Sequence, residues 1–226
     1  MRTVQFALHV GKEQVSAELN IPEGERLEGN LVIILAHGLN EMGMHHPVIE
    51  VLHDQLVRRG FCTARFNFPY AEKKRKTRDD DKTLVATYVA MINELKRRKA
   101  KTIIAGGYSM GSVVATIASK KVSVDGLLLL SFPLLDKSKR PTDTRPLFQI
   151  TVPTLMVSGT EDELTDAREL TDLIGRLKMK RIQIEPFFVQ GVGHRFTVPQ
   201  GSPFTQLEVF LEIVEMVDEW IAMHWY

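Results

Sequence analysis

An α/β architecture is predicted for this 226-residue chain: a mainly parallel central sheet, an N-terminal antiparallel hairpin, and helices on both faces. Three observations carry the prediction. From residue 31 onward, short apolar runs alternate with stripes of helical spacing. The first of these runs, Leu31-Val32-Ile33-Ile34-Leu35, is apolar at every position, as a strand buried on both faces must be. The composition, 44% hydrophobic and 25% charged, suits a globular core of this size, read as one domain over residues 1–226.

The elements follow in order. Thr3–Val10 and Gln14–Asn20 partly alternate and flank a turn at Gly11-Lys12, which predicts the hairpin. Pro22–Asn30 is a polar loop before the first buried strand. Pro47 opens a helix with Val48, Val51, Leu52 and Leu56 inward, and Gly60 closes it. Phe61–Phe66 is the next strand, and Leu84, Tyr88, Met91, Ile92 and Leu95 mark another helix. The strand Lys101–Ala105 precedes a helix of small residues, Ser112–Ala118. Gly126–Leu130 and Thr154–Ser158 are strands, and Ala167, Leu170, Ile174 and Leu177 lie at helical spacing. Arg181–Glu185 alternates as a last strand. Ser202-Pro203 is expected to cap a final helix with Leu207, Phe210, Val214, Val217 and Ile221 inward. Two loops are long, Pro69–Lys82 and Phe132–Val152, yet neither has room for a helical lid.

Charge and cysteine content exclude several classes. A formal net charge of +1 gives no pull toward nucleic acid or an anionic membrane. No run is long enough for a membrane span, and the N-terminus lacks a signal peptide's apolar stretch. The single cysteine, Cys62, rules out an intrachain disulfide and reads as buried and inert. A cytoplasmic protein fits these features. His45 and His46 are adjacent, point different ways, and make a poor metal pair, so no metal is expected. Lys73–Arg78 followed by Asp79–Asp81 reads as a solvated loop, with a mobile flap that attracts anionic substrates as the alternative. Trp220, Ile221, Met223, Trp225 and Tyr226 form an apolar C-terminus, read as core packing, with a homodimer contact as the alternative.

The chemistry begins at Gly107-Tyr108-Ser109-Met110-Gly111, a G-x-S-x-G string between a strand and a helix. Such a turn exposes one serine in a strained conformation beside free helix N–H groups. A serine hydroxyl is a weak nucleophile until an imidazole takes its proton, and the imidazole needs a carboxylate to fix its tautomer. In the α/β-hydrolases, which this strand–turn–helix string resembles, these follow in the order serine, acid, histidine, at the carboxyl ends of later strands. Asp162, in Ser158-Gly159-Thr160-Glu161-Asp162, fills the acid slot, with Asp136 as rival and Glu161, Glu163 and Asp166 as acidic neighbours. His194, in Gly191-Val192-Gly193-His194, fills the histidine slot, whereas His224 falls within the final helix. The oxyanion of the tetrahedral intermediate needs two donors, assigned to the backbone N–H groups of Met110 and Leu39. His37, in Ala36-His37-Gly38-Leu39-Asn40, reads as a structural hydrogen-bonding residue of that turn.

These residues give the chain its resemblance to the α/β-hydrolases. More narrowly, it resembles the dienelactone-hydrolase-like group that includes the testis-expressed and KANL-type hydrolase-like proteins. The resemblance covers about residues 30 to 220. It rests on Ala36-His37-Gly38, Arg65-Phe66-Asn67-Phe68-Pro69-Tyr70, the elbow around Ser109, Ser131-Phe132-Pro133-Leu134, Val152-Pro153-Thr154-Leu155 and Gly159-Thr160-Glu161-Asp162. It implies a small lidless α/β-hydrolase with Ser109, Asp162 and His194 as its triad. Ser109 stands where true dienelactone hydrolases carry a cysteine.

The expected activity is that of a serine hydrolase acting on a small carboxylic ester or thioester through an acyl-enzyme, with no cofactor and a small-molecule acyl substrate as its partner. The rival readings are a catalytically silent binding or scaffold module and a peptidase.

Overall fold

The computed structural model describes all 226 residues. Its strands are β1 (Arg2–Val10), β2 (Glu13–Ile21), β3 (Leu31–Ala36), β4 (Cys62–Phe66), β5 (Thr102–Tyr108), β6 (Gly126–Leu130), β7 (Thr154–Gly159) and β8 (Ile184–Val189). The helices are α1 (Pro47–Arg58), α2 (Pro69–Glu72), α3 (Asp81–Arg97), α4 (Met110–Ala118), α5 (Ala167–Met179) and α6 (Gln206–Trp225). The strands form one sheet in the order β1-β2-β4-β3-β5-β6-β7-β8. The hairpin β1–β2 joins β4 antiparallel, and β4 through β8 are parallel to one another and to β3.

The two faces of the sheet explain the continuous apolar runs. Leu31, Ile33 and Leu35 of β3 point to the side covered by α1 and α6. Val32, Ile34 and Ala36 point to the other side, with residues of α3, α4 and α5. In β6, Leu128 and Leu130 take the first side and Leu127 and Leu129 the second. A strand covered on both faces has no polar side, so its sequence shows no alternation.

The helices begin where local chemistry satisfies their first N–H groups. Pro47 opens α1. Asp80 accepts from Thr83 N–H at the start of α3, and Asp166 from Arg168 and Glu169 N–H at the start of α5. Thr205 and Glu208 form a reciprocal capping box at α6, which corrects the expected cap at Ser202-Pro203. Ser202 instead belongs to the preceding turn, where its hydroxyl accepts from Phe204 N–H. One consequence is a second correction: Leu207, expected inward, is 52% exposed, and the buried stripe begins at Val209 and Phe210.

The last strand also differs from expectation. β8 starts at Ile184 rather than Arg181, because Arg181 still turns with φ 61°. It runs on through Pro186 to Val189. Proline lacks a ladder donor, and β8 tolerates it because it is the sheet's edge strand. Within the expected loop 69–82, Pro69–Glu72 forms the short α2. The loop 132–152 holds a 3₁₀ turn at Arg145–Gln149 and no lid helix. At the C-terminus, Trp220 and Ile221 are fully buried, while Met223 and Tyr226 are 66% and 86% exposed.

His37 joins two crossover loops. It follows β3, is completely enclosed, and its Nε2 accepts the Phe68 N–H at 3.1 Å beyond β4. Its Nδ1–H donates to Gly38 O at 2.8 Å. Burial pushes the ring's pKa down to about 4. Burial also lowers those of His46 and His53.

Two stability predictions follow from this packing. Trp220→Ala removes a fully buried indole and is expected to cost about 3–5 kcal/mol, whereas Leu207→Ala stays within about 0.5 kcal/mol. Urea unfolding of both variants checks this pair. The second concerns pH. An unfolded chain binds a histidine proton at about pH 6.5, before folded His37 does. The stability contributed by a neutral His37 is therefore complete above about pH 6.5 and is lost as pH falls toward 4, by about 3 kcal/mol. His37→Gln should flatten the fall in Tm over that window; an unchanged slope would contradict the assignment.

Candidate active site

β5 ends at Tyr108, and the chain enters α4 through Ser109 with φ 55° and ψ −121°. That conformation is costly for a residue with a side chain, about 1–3 kcal/mol. It turns the strand into the helix within one residue and leaves the hydroxyl at the top of the sheet. The flanking glycines permit the approach. A Cβ on Gly107 would lie 2.4 Å from the Gly111 carbonyl carbon, and one on Gly111 2.3 Å from Ala36 O. Ser109 N–H donates to Leu130 O, and Ser112 Oγ donates to Ser109 O, so the strained residue is tied on both sides.

The two later loops converge on this serine. His194 Nε2 lies 2.8 Å from Ser109 Oγ. His194 Nδ1 lies 2.9 and 3.0 Å from the two oxygens of Asp162. The Asp162 side chain is fully buried and that of His194 is 8% exposed. Asp162 also accepts from Leu164 N–H at 2.8 Å. The loops are joined by Glu161 N–H donating to Val192 O and His194 N–H donating to Glu163 Oε2. Burial opposes ionisation of Glu163, but its own N–H and that of His194 outweigh this and hold its pKa below the usual carboxylate range.

The rival groups have other partners. Asp136 accepts from the N–H groups of Ser138 and Arg140 and pairs with the Arg140 guanidinium. Asp166 caps α5, and Glu161 is exposed. His224 pairs with Glu185 at 2.8 Å. His45 lies 3.0 Å from Glu50, and His46 stacks on Tyr108. No group of three or more His, Cys, Asp or Glu side chains is arranged to hold a metal ion.

Next to the serine, the amides of Met110 and Leu39 find no protein acceptor. Met110 is the first residue of α4, so its N–H has no intrahelical partner. The Leu39 amide is oriented from behind. The carbonyl of Gly38 receives three donors: His37 Nδ1–H at 2.8 Å, Tyr70 O–H at 2.9 Å and Asn40 Nδ2–H at 3.0 Å. In a trans peptide the C=O and the following N–H point in opposite directions. Fixing the Gly38 carbonyl therefore fixes the Leu39 N–H. Burial raises the Tyr70 phenol to about 12, so it remains a donor. Tyr70, Asn40 and Glu163 carried no such roles in the sequence reading, although each stood in or beside a string that it singled out.

A cavity of about 330 Å³ opens beside Ser109, between α3, α4 and the loop after β6. The charged loop near it is partly paired: Arg78 meets Asp81 and Arg75 pairs with Asp79 within the loop, and Lys73 pairs with Glu13 of β2.

A family model described as an alpha/beta hydrolase domain matches residues 29–222. No match is found among curated proteins. Among solved structures, the chain is similar to an α/β serine hydrolase without lid from Xanthomonas campestris, with 17% identity, 98% of this chain and 94% of that chain covered, and a TM-score of 0.77. The dienelactone hydrolase from Anabaena variabilis aligns at 15% identity over 99% and 98% of the two chains, with a TM-score of 0.73. Est1E from Butyrivibrio proteoclasticus, with ferulic acid bound, aligns at 17% identity over 96% and 99%, with a TM-score of 0.74. At these identities the likeness to solved structures is one of fold. The family match spans most of the chain and encloses the elbow and both converging loops, and the chain accordingly belongs to the α/β-hydrolase domain family.

Proposed function

We propose that the chain is a serine hydrolase that cleaves a small carboxylic ester or thioester through an acyl-enzyme on Ser109. One observation carries the reading: Ser109 Oγ, His194 and the buried Asp162 form a continuous hydrogen-bonded chain with contacts of 2.8 and 2.9 Å. In this mechanism Ser109 Oγ adds to the acyl carbon while its proton passes to His194 Nε2. Asp162 accepts the Nδ1–H, which keeps Nε2 free to act as base and offsets the imidazolium charge. The amides of Met110 and Leu39 hold the oxyanion. Collapse breaks the bond to the leaving alcohol or thiol, which takes the proton from His194. Water then attacks the acyl-enzyme, gives its proton to His194, and releases the acid as Ser109 recovers that proton.

A silent scaffold has no use for a strained serine aimed at an imidazole that is itself aimed at a buried carboxylate. A peptidase would use the same groups, but nothing in the site favours an amide over an ester.

Labelling by a fluorophosphonate probe is expected for the wild type and not for Ser109→Ala, and to be severely slowed in His194→Ala. Asp162→Asn should lower kcat for p-nitrophenyl esters by about 10⁴-fold. A folded wild type that neither labels nor turns over esters sinks the proposal.

Tyr70 and His37 are positioning residues for the oxyanion donor. Deleting a direct donor costs about 10²–10³ in kcat. Tyr70→Phe removes one of three supports behind that donor and should cost about tenfold in kcat, leave KM within about twofold, and weaken inhibition by an alkyl boronic acid in parallel. Unchanged kcat in Tyr70→Phe would remove Tyr70 from this role.

A further inference from the structure

The cavity beside Ser109 has a direction, and that direction bears on the substrate. Met110, Val113 and Ile117 lie at i, i+3 and i+7 and form one face of α4 along its wall. All three are only half-buried, although they pack against the core cluster of that side of the sheet. Val85 of α3 and Leu135 and Pro146 of the loop after β6 complete an apolar trough. Leu39, whose amide is the proposed second oxyanion donor, lines the same cavity as Ser109. Arg78, Asp81, Asp136, Lys137 and Asp143 line the same cavity; Arg78 pairs with Asp81, Asp136 with Arg140 and Asp143 with Arg145, and Lys137 is exposed to solvent.

We propose that this trough is an acyl-chain site, and that the substrate is an ester or thioester of a straight, medium-length acyl group lying along α4 from Ser109 to Ile117. The inference rests on the serine-hydrolase reading above and names its substrate class. Eight helical residues at a rise of about 1.5 Å span about 12 Å. A zigzag chain with bonds of about 1.5 Å advances about 1.25 Å per carbon, so the trough takes about eight to ten carbons. A volume of about 330 Å³ lies at the small end of ligand pockets, which fits one slender chain rather than a branched or bulky acyl group. The half-exposed valine and isoleucine gain cover from the chain, and four of the five charged residues lining the cavity are already paired, Lys137 being the exception. Ile117 closes the trough and sets the length.

The test compares p-nitrophenyl acetate, butyrate, octanoate and dodecanoate on wild type, Ile117→Trp and Ile117→Ala, with folding of each checked by circular dichroism. In the wild type, kcat/KM should rise about two- to fourfold per added methylene and stop rising beyond octanoate. The ratio of octanoate to acetate should fall at least tenfold in Ile117→Trp, and Ile117→Ala should move the preference toward dodecanoate. A second arm titrates sodium octanoate into Ser109→Ala by calorimetry, where binding should weaken at least tenfold once Ile117→Trp is added. Octanoate binding of that pattern without turnover of any ester upholds the acyl site and defeats the hydrolase reading alone. Ester turnover with no dependence on chain length, or chain-length ratios and octanoate binding that ignore both substitutions, overturns the acyl site and leaves the hydrolase reading standing.

Discussion

The turn at Ser109 exists because two side chains are missing on either side of it. β5 must stop, reverse into α4, and bring that helix onto the end of β3, all within van der Waals contact. The positions of Gly107 and Gly111 leave no room for a Cβ, one against the incoming helix and the other against the carbonyl of Ala36. Every other feature of the site is placed relative to this contact. The Met110 amide is free because it begins a helix, and the loop after β3 reaches the serine because α4 packs so closely on that strand. The strain at Ser109 is held by hydrogen bonds to β6 and within the first turn of α4, and by the burial of Val114, Ala115 and Ala118.

A parallel sheet then gathers what the chain keeps apart. Ser109 and His194 are 85 residues apart, and Asp162 and His194 are 32. All three follow the carboxyl ends of neighbouring or near-neighbouring strands, so the connecting loops meet on one edge. The meeting is held by loop-to-loop hydrogen bonds as well as by the acid–imidazole pair. Glu161 N–H reaches Val192 O, and Glu163 receives the His194 amide. Burying the Asp162 carboxylate is tolerable because it accepts from both the imidazole and a backbone amide.

The peptide after Gly38 shows how polar groups can be aimed without being touched. Its carbonyl is engaged by His37, Tyr70 and Asn40, and planarity transmits that constraint to the Leu39 amide. The same ring of His37 also holds the amide of Phe68, so the loops after β3 and β4 are locked to each other. Burial keeps the ring neutral, which the arrangement requires, because Nε2 must accept while Nδ1 donates.

Local chemistry determined much of this in the sequence. The unbroken apolar runs of β3 and β6 announced strands covered on both faces, and the stripe from Leu84 to Leu95 announced a helix with one buried face. The order of elements implied a mainly parallel sheet, and the G-x-S-x-G string in its strand–helix setting pointed to Ser109. Chain order then singled out Asp162 and His194, whose side chains lie in one hydrogen-bonded line with that serine. Features that depend on a partner far along the chain were not legible. The start of β8 depended on a turn at Arg181, and its run through Pro186 on standing at the sheet's edge. The exposure of Leu207 followed from a cap chosen between Ser202 and Thr205. Tyr70 acquired its position only when α2 carried it against Gly38, and the trough along α4 came into being when the loop after β6 folded over Val113 and Ile117. Periodicity and turn chemistry are written within a few residues of each other; which carbonyl a distant hydroxyl meets is decided only when the whole sheet has closed.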